Sequence, residues 1–137
     1  MDELEFKNWC IIKDYFSDSI AEIYSTKEVI EAFLVTNPKM YLSNTDYDKW
    51  KSFTDYVEVY RGCNEEELEE LGVPLGISYT LSPKVAEWFA ERRENGCVVK
   101  ATVPKECIKC FYNGRKEEEV IILDFPCYYE KCEVKRK

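Results

Sequence analysis

Residues 76–90, GISYTLSPKVAEWFA, place the end of a strand directly before the start of a helix. Ser82 and Pro83 predict this helix start, because a serine hydroxyl caps unpaired backbone N–H groups and proline is favoured at the first helical position. Apolar residues then recur at helical spacing, which predicts one buried face of the helix. That face comprises Val85, Trp88 and Phe89, with Ala86 beside them.

Two hydroxyl residues, Ser78 and Thr80, lie at the exit of the strand, on either side of Tyr79. Serine and threonine hydroxyls often bond to nearby backbone groups, so turn and cap chemistry is one explanation for them. The other explanation is that they form one wall of a ligand pocket. The rest of the chain has to decide between the two.

The residues before this stretch predict helices. An amphipathic stripe runs through residues 2–25, and Ser25 or Thr26 can cap a second helix over residues 26–35. Residues 44–56 predict a third short helix or an aromatic-rich connection. The first third of the chain is therefore expected to be helical.

After residue 55 the apolar pattern changes to the alternation that is typical of strands. Only an acidic helix or lid over residues 63–72 and the helix after Ser82 interrupt it. The predicted strands cover residues 56–62, 74–81, 96–103, 107–112, 118–125 and 128–134. We therefore expect one α+β domain over residues 1–137, with a helical part at 1–52 and a mostly antiparallel β core at 53–137 that contains an inserted helix.

The charge balance disfavours a nucleic-acid-binding protein. The chain has 19 basic and 27 acidic residues, a net charge of −8, whereas proteins that neutralise phosphates carry basic patches. No apolar run reaches the length of a membrane helix, and the acidic N-terminus does not resemble a secretory signal. These features predict a cytoplasmic protein.

The chain has no histidine and seven cysteines. Without histidine, the Ser-His-Asp and Cys-His catalytic arrangements and every His-metal site are excluded, so acid–base chemistry falls to other side chains. The odd number of cysteines indicates reduced thiols. A four-thiolate zinc site from Cys107, Cys110, Cys127 and Cys132 is a less favoured alternative, because the second pair is loosely spaced and the first would point to opposite strand faces.

Three polar features lie at predicted strand ends: Arg61–Gly62, the hydroxyl cluster around Tyr79, and the glutamates at 117–119. In an extended strand Glu117 and Glu119 point to the same face and Glu118 to the other. Each feature alone has an ordinary explanation in ion pairing, turn chemistry or solvation. Their order along the chain is more specific than any one of them.

In this order, VYRG at 59–62, GISYTLSPKVAEWFA at 76–90 and EEEVIIL at 117–123 resemble the motifs of mono-ADP-ribosyltransferases of the Arg-Ser-Glu, cholera-toxin-like type. The resemblance covers residues 56–125. It implies a fold of two packed sheets and a reaction in which ADP-ribose passes from NAD to a macromolecular acceptor while nicotinamide is released. The middle residue of the serine motif, Tyr79, departs from the family's usual pattern.

The resemblance implies that five residues bind NAD. Arg61 would contact a phosphate, which suits a guanidinium, and the backbone of Gly62 would approach the nicotinamide amide. Ser78 would bond near the catalytic glutamate and the nicotinamide ribose, and Thr80 would support the same wall. Tyr79 would stack on the nicotinamide or simply pack.

The resemblance also implies the catalytic residues. Glu119 would stabilise the oxocarbenium-like cation that forms when nicotinamide leaves, and Glu117 would take a proton from the attacking acceptor. In the family, Glu-x-Glu goes with arginine as the acceptor, and Tyr112 would be the aromatic residue of the loop that meets it.

The short chain suggests a small intracellular effector of bacterial or phage type, whose acceptor is a protein of the cell; a nucleic-acid acceptor is disfavoured by the charge. An alternative is a catalytically inactive protein that keeps the fold and acts as a binding or inhibitor module. No metal is expected in either case.

Overall fold

The computed structural model describes residues 2–17, 24–66, 76–123 and 129–132. The chain divides into two compact units, Met1–Tyr47 and Asp48–Lys137. Helix α3, Asn44–Lys51, contains the boundary between them. Within the described ranges, no helix is both long enough and apolar enough to cross a membrane.

The first unit is helical, as predicted. Helix α1 spans Glu3–Tyr15 and helix α2 spans Thr26–Val35. The predicted cap of α2 is confirmed, because Ser25 and Glu28 form a capping box in which each side chain accepts a bond from the other's backbone N–H. A 3₁₀ turn follows at Pro38–Met40. The buried apolar residues of this unit are Ile11, Ile12, Phe16, Val29, Ala32, Phe33 and Tyr41.

The described residues of the second unit form an antiparallel sheet with an inserted helix, so the predicted α+β class is confirmed. Helix α4, Pro83–Glu91, follows the second strand, and a 3₁₀ turn at Lys105–Cys107 precedes the fourth. The sheet order is β4-β5-β2-β1-β3-β6. The strands are β1 Tyr56–Asn64, β2 Ser78–Thr80, β3 Gly96–Pro104, β4 Ile108–Tyr112, β5 Glu119–Ile122 and β6 Glu130–Cys132.

The strands follow the predicted pattern with changed boundaries. The largest difference concerns the acidic helix expected over residues 63–72, because Cys63 and Asn64 instead continue β1, opposite Cys97 and Gly96. Strand β1 was predicted to end at Gly62, but it continues to Asn64. Glu65 and Glu66 are helical, as predicted, and residues 67–72, which carry the rest of the predicted helix or lid, lie outside the described residues.

The sheet has two halves that meet at a single residue pair, Tyr60 opposite Thr80. Strands β1 and β3 pair along nine residues of each strand on one side, while β2, β4 and β5 pair on the other. Apolar residues of both halves form one core cluster, which contains Val57, Val59, Tyr79, Ala101, Val103, Ile108, Phe111, Val120 and Ile122. The described strands thus form one sheet, where two packed sheets were expected.

Helix α4 starts where the sequence predicts, since the Ser82 hydroxyl accepts a bond from Val85 N at 3.3 Å. Its buried face matches the predicted one only in part: Ala86, which was predicted, and Ala90, which was not, are fully buried, whereas the Trp88 side chain is 49% exposed. The prediction was wrong for Trp88 because it gave weight to large apolar side chains, while a helix this close to a sheet needs small ones.

Two glycines allow this close approach. A Cβ atom at Gly62 would overlap the carbonyl oxygen of Ala86, and a Cβ atom at Gly96 would overlap that of Ala90. Both overlaps are with backbone atoms, which cannot move aside as a side chain does. The packing of α4 against β1 and β3 therefore requires glycine at these positions.

We predict that Gly62→Ala lowers the free energy of unfolding by about 1–3 kcal/mol, the usual cost of overpacking. Urea unfolding followed by circular dichroism measures the change. The matched control is Gly114→Ala, because the atoms nearest to its added methyl group belong to the side chain of Tyr112 and not to the backbone. An equal loss in both variants would contradict the close approach of α4.

Candidate active site

The carboxylate of Glu119 lies at the centre of the candidate site. Glu119 is the first residue of β5 and is only 4% exposed. Its Oε2 accepts a hydrogen bond from Ser78 Oγ at 2.8 Å, and its Oε1 contacts Arg115 Nη2 at 2.5 Å. Because a buried carboxylate is costly unless it is paired and hydrogen-bonded, these two partners allow it to remain charged.

The pairing of β2 with β5 brings Ser78 to this carboxylate. Thr80 lies opposite Glu119, and Ser78 lies opposite Ile121 two residues along. The Ser78–Glu119 contact is therefore a diagonal one across two antiparallel strands, which long side chains can reach. A shift of this register by one residue would turn the hydroxyl to the other face of the sheet.

Arg61 is joined to the same point of β2. Its Nη1 donates a hydrogen bond to the Ser78 carbonyl oxygen at 2.8 Å, and its guanidinium carbon lies 5.7 Å from the centre of the Tyr79 ring. A Cβ atom at Gly76 would overlap the guanidinium, so glycine leaves the room that it occupies. Arg61, Ser78 and Glu119, predicted from three separate motifs, are thus linked through consecutive hydrogen bonds.

The Thr80 hydroxyl contacts only backbone groups among its described hydrogen bonds. It donates to the Glu117 carbonyl oxygen at 2.7 Å and accepts from Ser82 N at 3.0 Å. It therefore ties the start of α4 to the loop before β5. Turn chemistry, one of the two explanations of these hydroxyls, describes Thr80, whereas the Ser78 hydroxyl contacts the candidate catalytic carboxylate.

Tyr79 packs in the core between its two neighbours. It is 2% exposed and belongs to the large apolar cluster of the sheet, while its hydroxyl donates to the Gly76 carbonyl oxygen at 3.0 Å. Of the two roles considered for this residue, the structure shows packing. Gly62 likewise has a structural function, since its missing side chain makes room for α4.

The loop before β5 differs from the extended strand expected there. Glu118 has a φ of 46°, in the left-handed region, and the strand begins only at Glu119. The Asn113 side chain holds this loop by accepting a hydrogen bond from Glu118 N at 3.1 Å. Because the residue between them is not extended, the alternation argument that places Glu117 and Glu119 on one face does not apply.

Glu117 lines an open groove beside α4, with a volume of about 310 Å³. The groove is also lined by Lys84, Val85, Trp88 and Phe89. Tyr112, the predicted acceptor-loop aromatic, is the last residue of β4, where it lies opposite Glu119. Its ring lies close to Gly114, as a Cβ atom added there would overlap it.

Arg115 is a site residue that the sequence analysis missed. It forms an ion pair with Glu119 and its side chain is 24% exposed. The sequence signal that could have indicated it is the position of Arg115, four residues before Glu119 and directly after the Asn113-Gly114 turn. Such a spacing predicts contact in a helix but not in a loop, where the backbone path decides what a side chain reaches.

No group of three or more side chains able to ligate a metal occurs in the described part of the chain. Of the four cysteines considered for zinc, Cys127 and the side chain of Cys132 lie outside it. The Sγ atoms of Cys63 and Cys97 are 3.7 Å apart across β1 and β3.

No family model matches this chain, and no match was found among the curated proteins or the solved structures. The choice of a function therefore depends on the geometry of the chain's own residues.

The pairing of Glu119 with Arg115 predicts a strong energetic coupling between them. We expect Arg115→Met to lower the free energy of unfolding by about 2–3 kcal/mol, because it leaves a buried charge with one partner fewer. With Glu119→Gln also present the loss should shrink, giving a coupling of about 1–3 kcal/mol in a double-mutant cycle measured by urea unfolding.

The exposed ion pair of Lys100 with Glu58, at 2.6 Å, is the matched control for this cycle. Its coupling should be much smaller, since solvent screens charges at the surface. Equal couplings in the two pairs would contradict the burial of Glu119.

Proposed function

We propose that this protein is a mono-ADP-ribosyltransferase, which transfers ADP-ribose from NAD to a macromolecular acceptor and releases nicotinamide. The observation that carries the proposal is the linked set of Arg61, Ser78 and Glu119. Arg61 donates a hydrogen bond to the backbone carbonyl oxygen of Ser78, and the Ser78 hydroxyl donates one to the buried carboxylate of Glu119, so residues of three sequence motifs are joined through Ser78. Ion pairing, turn chemistry and solvation, taken motif by motif, would not require this convergence.

Each linked residue suits one part of the reaction. Arg61 donates through one guanidinium nitrogen to the backbone of β2, and a guanidinium next to the proposed pocket suits a phosphate of NAD. Ser78 fixes the orientation of the Glu119 carboxylate. A carboxylate held in place, with little water around it, stabilises the cation that develops at the ribose carbon as nicotinamide leaves.

The remaining predicted residues complete the proposed pocket. Thr80 fixes the end of β2 that carries Ser78 through its hydrogen bonds to the Glu117 carbonyl oxygen and Ser82 N. Gly62 would let the backbone of β1 approach the nicotinamide. The Tyr79 ring lies 5.7 Å from the guanidinium of Arg61 and helps to position it. The two halves of the sheet share one core and meet at a single pair. In this respect the single described sheet differs from the two packed sheets of the proposed fold family.

We propose the arginine side chain of a cellular protein as the acceptor. Glu117, in the groove beside α4, would take the acceptor's proton, and Tyr112 would contact the acceptor. The net charge of −8 favours a protein over a nucleic acid in this role. A small cytoplasmic effector of bacterial or phage type remains the proposed setting.

A binding or inhibitor module without catalysis is the second candidate. The observation that favours it is the Arg115 ion pair, which already satisfies one oxygen of Glu119. In that case the carboxylate would only stabilise the fold. The two candidates differ in whether NAD is consumed.

We predict that the purified protein releases nicotinamide from labelled NAD and transfers label to proteins of a cell lysate. Glu119→Gln should lower both rates by at least about 100-fold, because it removes the charge that stabilises the transition state. The matched control is Glu118→Gln, an exposed neighbour, which should keep both. No consumption of NAD by the wild type would favour the binding module.

We also predict that Glu117→Gln separates the two activities. Transfer to an arginine acceptor should fall by about 100-fold, the usual contribution of a general base, while hydrolysis of NAD stays within a few-fold. Agmatine, a small guanidine, serves as the acceptor, and nicotinamide release measures hydrolysis. Equal loss of both activities would contradict this role of Glu117.

A further inference from the structure

The guanidinium of Arg115 already lies where the proposed reaction takes place. Arg115 lies in the loop that leads directly into β5, and its Nη2 is 2.5 Å from Oε1 of Glu119. The other described arginines have contacts elsewhere: Arg61 binds the Ser78 carbonyl oxygen, Arg92 stacks 3.4 Å above the ring of Trp88, and the backbone N–H of Arg93 binds the Ala90 carbonyl oxygen at the end of α4. Arg115 alone among them has a described contact with the candidate catalytic carboxylate.

We infer that Arg115 is a self-modification site, at which the protein transfers ADP-ribose to its own guanidinium. The inference rests on the proposed function and names one acceptor for it. A group that is held beside the reacting centre needs no encounter with a second molecule, so its effective concentration is far above that of any acceptor in solution. Arg115 is such a group.

The step balances without a further reactant. The bond between the ribose C1′ and the nicotinamide nitrogen breaks, and its electron pair leaves with nicotinamide. A nitrogen of the Arg115 guanidinium then supplies the pair for the new bond to C1′. The proton that this nitrogen loses passes to a carboxylate, and Oε1 of Glu119 is already in contact with it.

Self-modification would have two consequences. The reaction is intramolecular, so the fraction of modified protein at a given time does not depend on protein concentration. The bulky product also breaks the ion pair with Glu119 and occupies the site, which limits each molecule to one such event. Self-modification would therefore compete with transfer to an external acceptor.

The experiment incubates the full chain with NAD and no acceptor. Nicotinamide release is measured, and peptide mapping by mass spectrometry locates the ADP-ribose. We expect one ADP-ribose on Arg115 of the wild type, with the same modified fraction after tenfold dilution of the protein. In Arg115→Lys, which keeps the positive charge but lacks the guanidinium, self-modification should fall at least tenfold. The matched control, Arg92→Lys, should retain it.

The two proposals fail in different ways. Nicotinamide release by the wild type with no ADP-ribose on Arg115, or with ADP-ribose only on another residue, overturns the self-modification and leaves the transferase. The absence of nicotinamide release overturns both. A modified fraction that falls with dilution overturns the intramolecular step. Mapping of the wild type decides these outcomes even if the lysine variant folds poorly.

Discussion

The hydrogen bond between Ser78 and Glu119 depends on the placement of β2, a strand of only three residues between β1 and β5. On one side of β2, Arg61 binds the backbone carbonyl of Ser78. On the other side β2 pairs with β5. Backbone hydrogen bonds from Leu81 N to Glu118 O and from Ile122 N to Ile77 O extend this pairing at both ends. Because the described backbone pairing between the two halves of the sheet is the single pair of Tyr60 and Thr80, the fold and the candidate site depend on the same few residues.

The buried carboxylate imposes an opposing demand. A charged Glu119 in the sheet is stable only with its partners, and Arg115 supplies the compensating charge. Because Arg115 neutralises the charge of Glu119, the paired carboxylate would stabilise a cation that develops beside it only weakly. The proposed reaction at Glu119 would therefore require Arg115 to move or to take part. The same ion pair stabilises the buried carboxylate in the fold and opposes its proposed role.

Helix α4 shows how packing distance overrides apolar pattern. Its periodicity favours a face with Trp88 and Phe89, but the helix approaches the sheet through Ala86 and Ala90, over Gly62. Small residues win because backbone-to-backbone approach is limited by the atoms on Cβ, and no rearrangement of a large side chain removes that limit. The same approach leaves Trp88 half-exposed beside the groove that Glu117 lines.

The sequence by itself determined the α+β class, the helix start at Ser82, the cap of the second helix as either Ser25 or Thr26, and most strand positions, because periodicity, capping and turn chemistry are local. Motif order also singled out Arg61, Ser78 and Glu119. Only the tertiary structure decided which face of α4 is buried, that residues 63 and 64 continue a strand, and that Arg115 reaches Glu119. These depend on register and loop path, which bring together residues whose spacing along the chain carries no signal of contact.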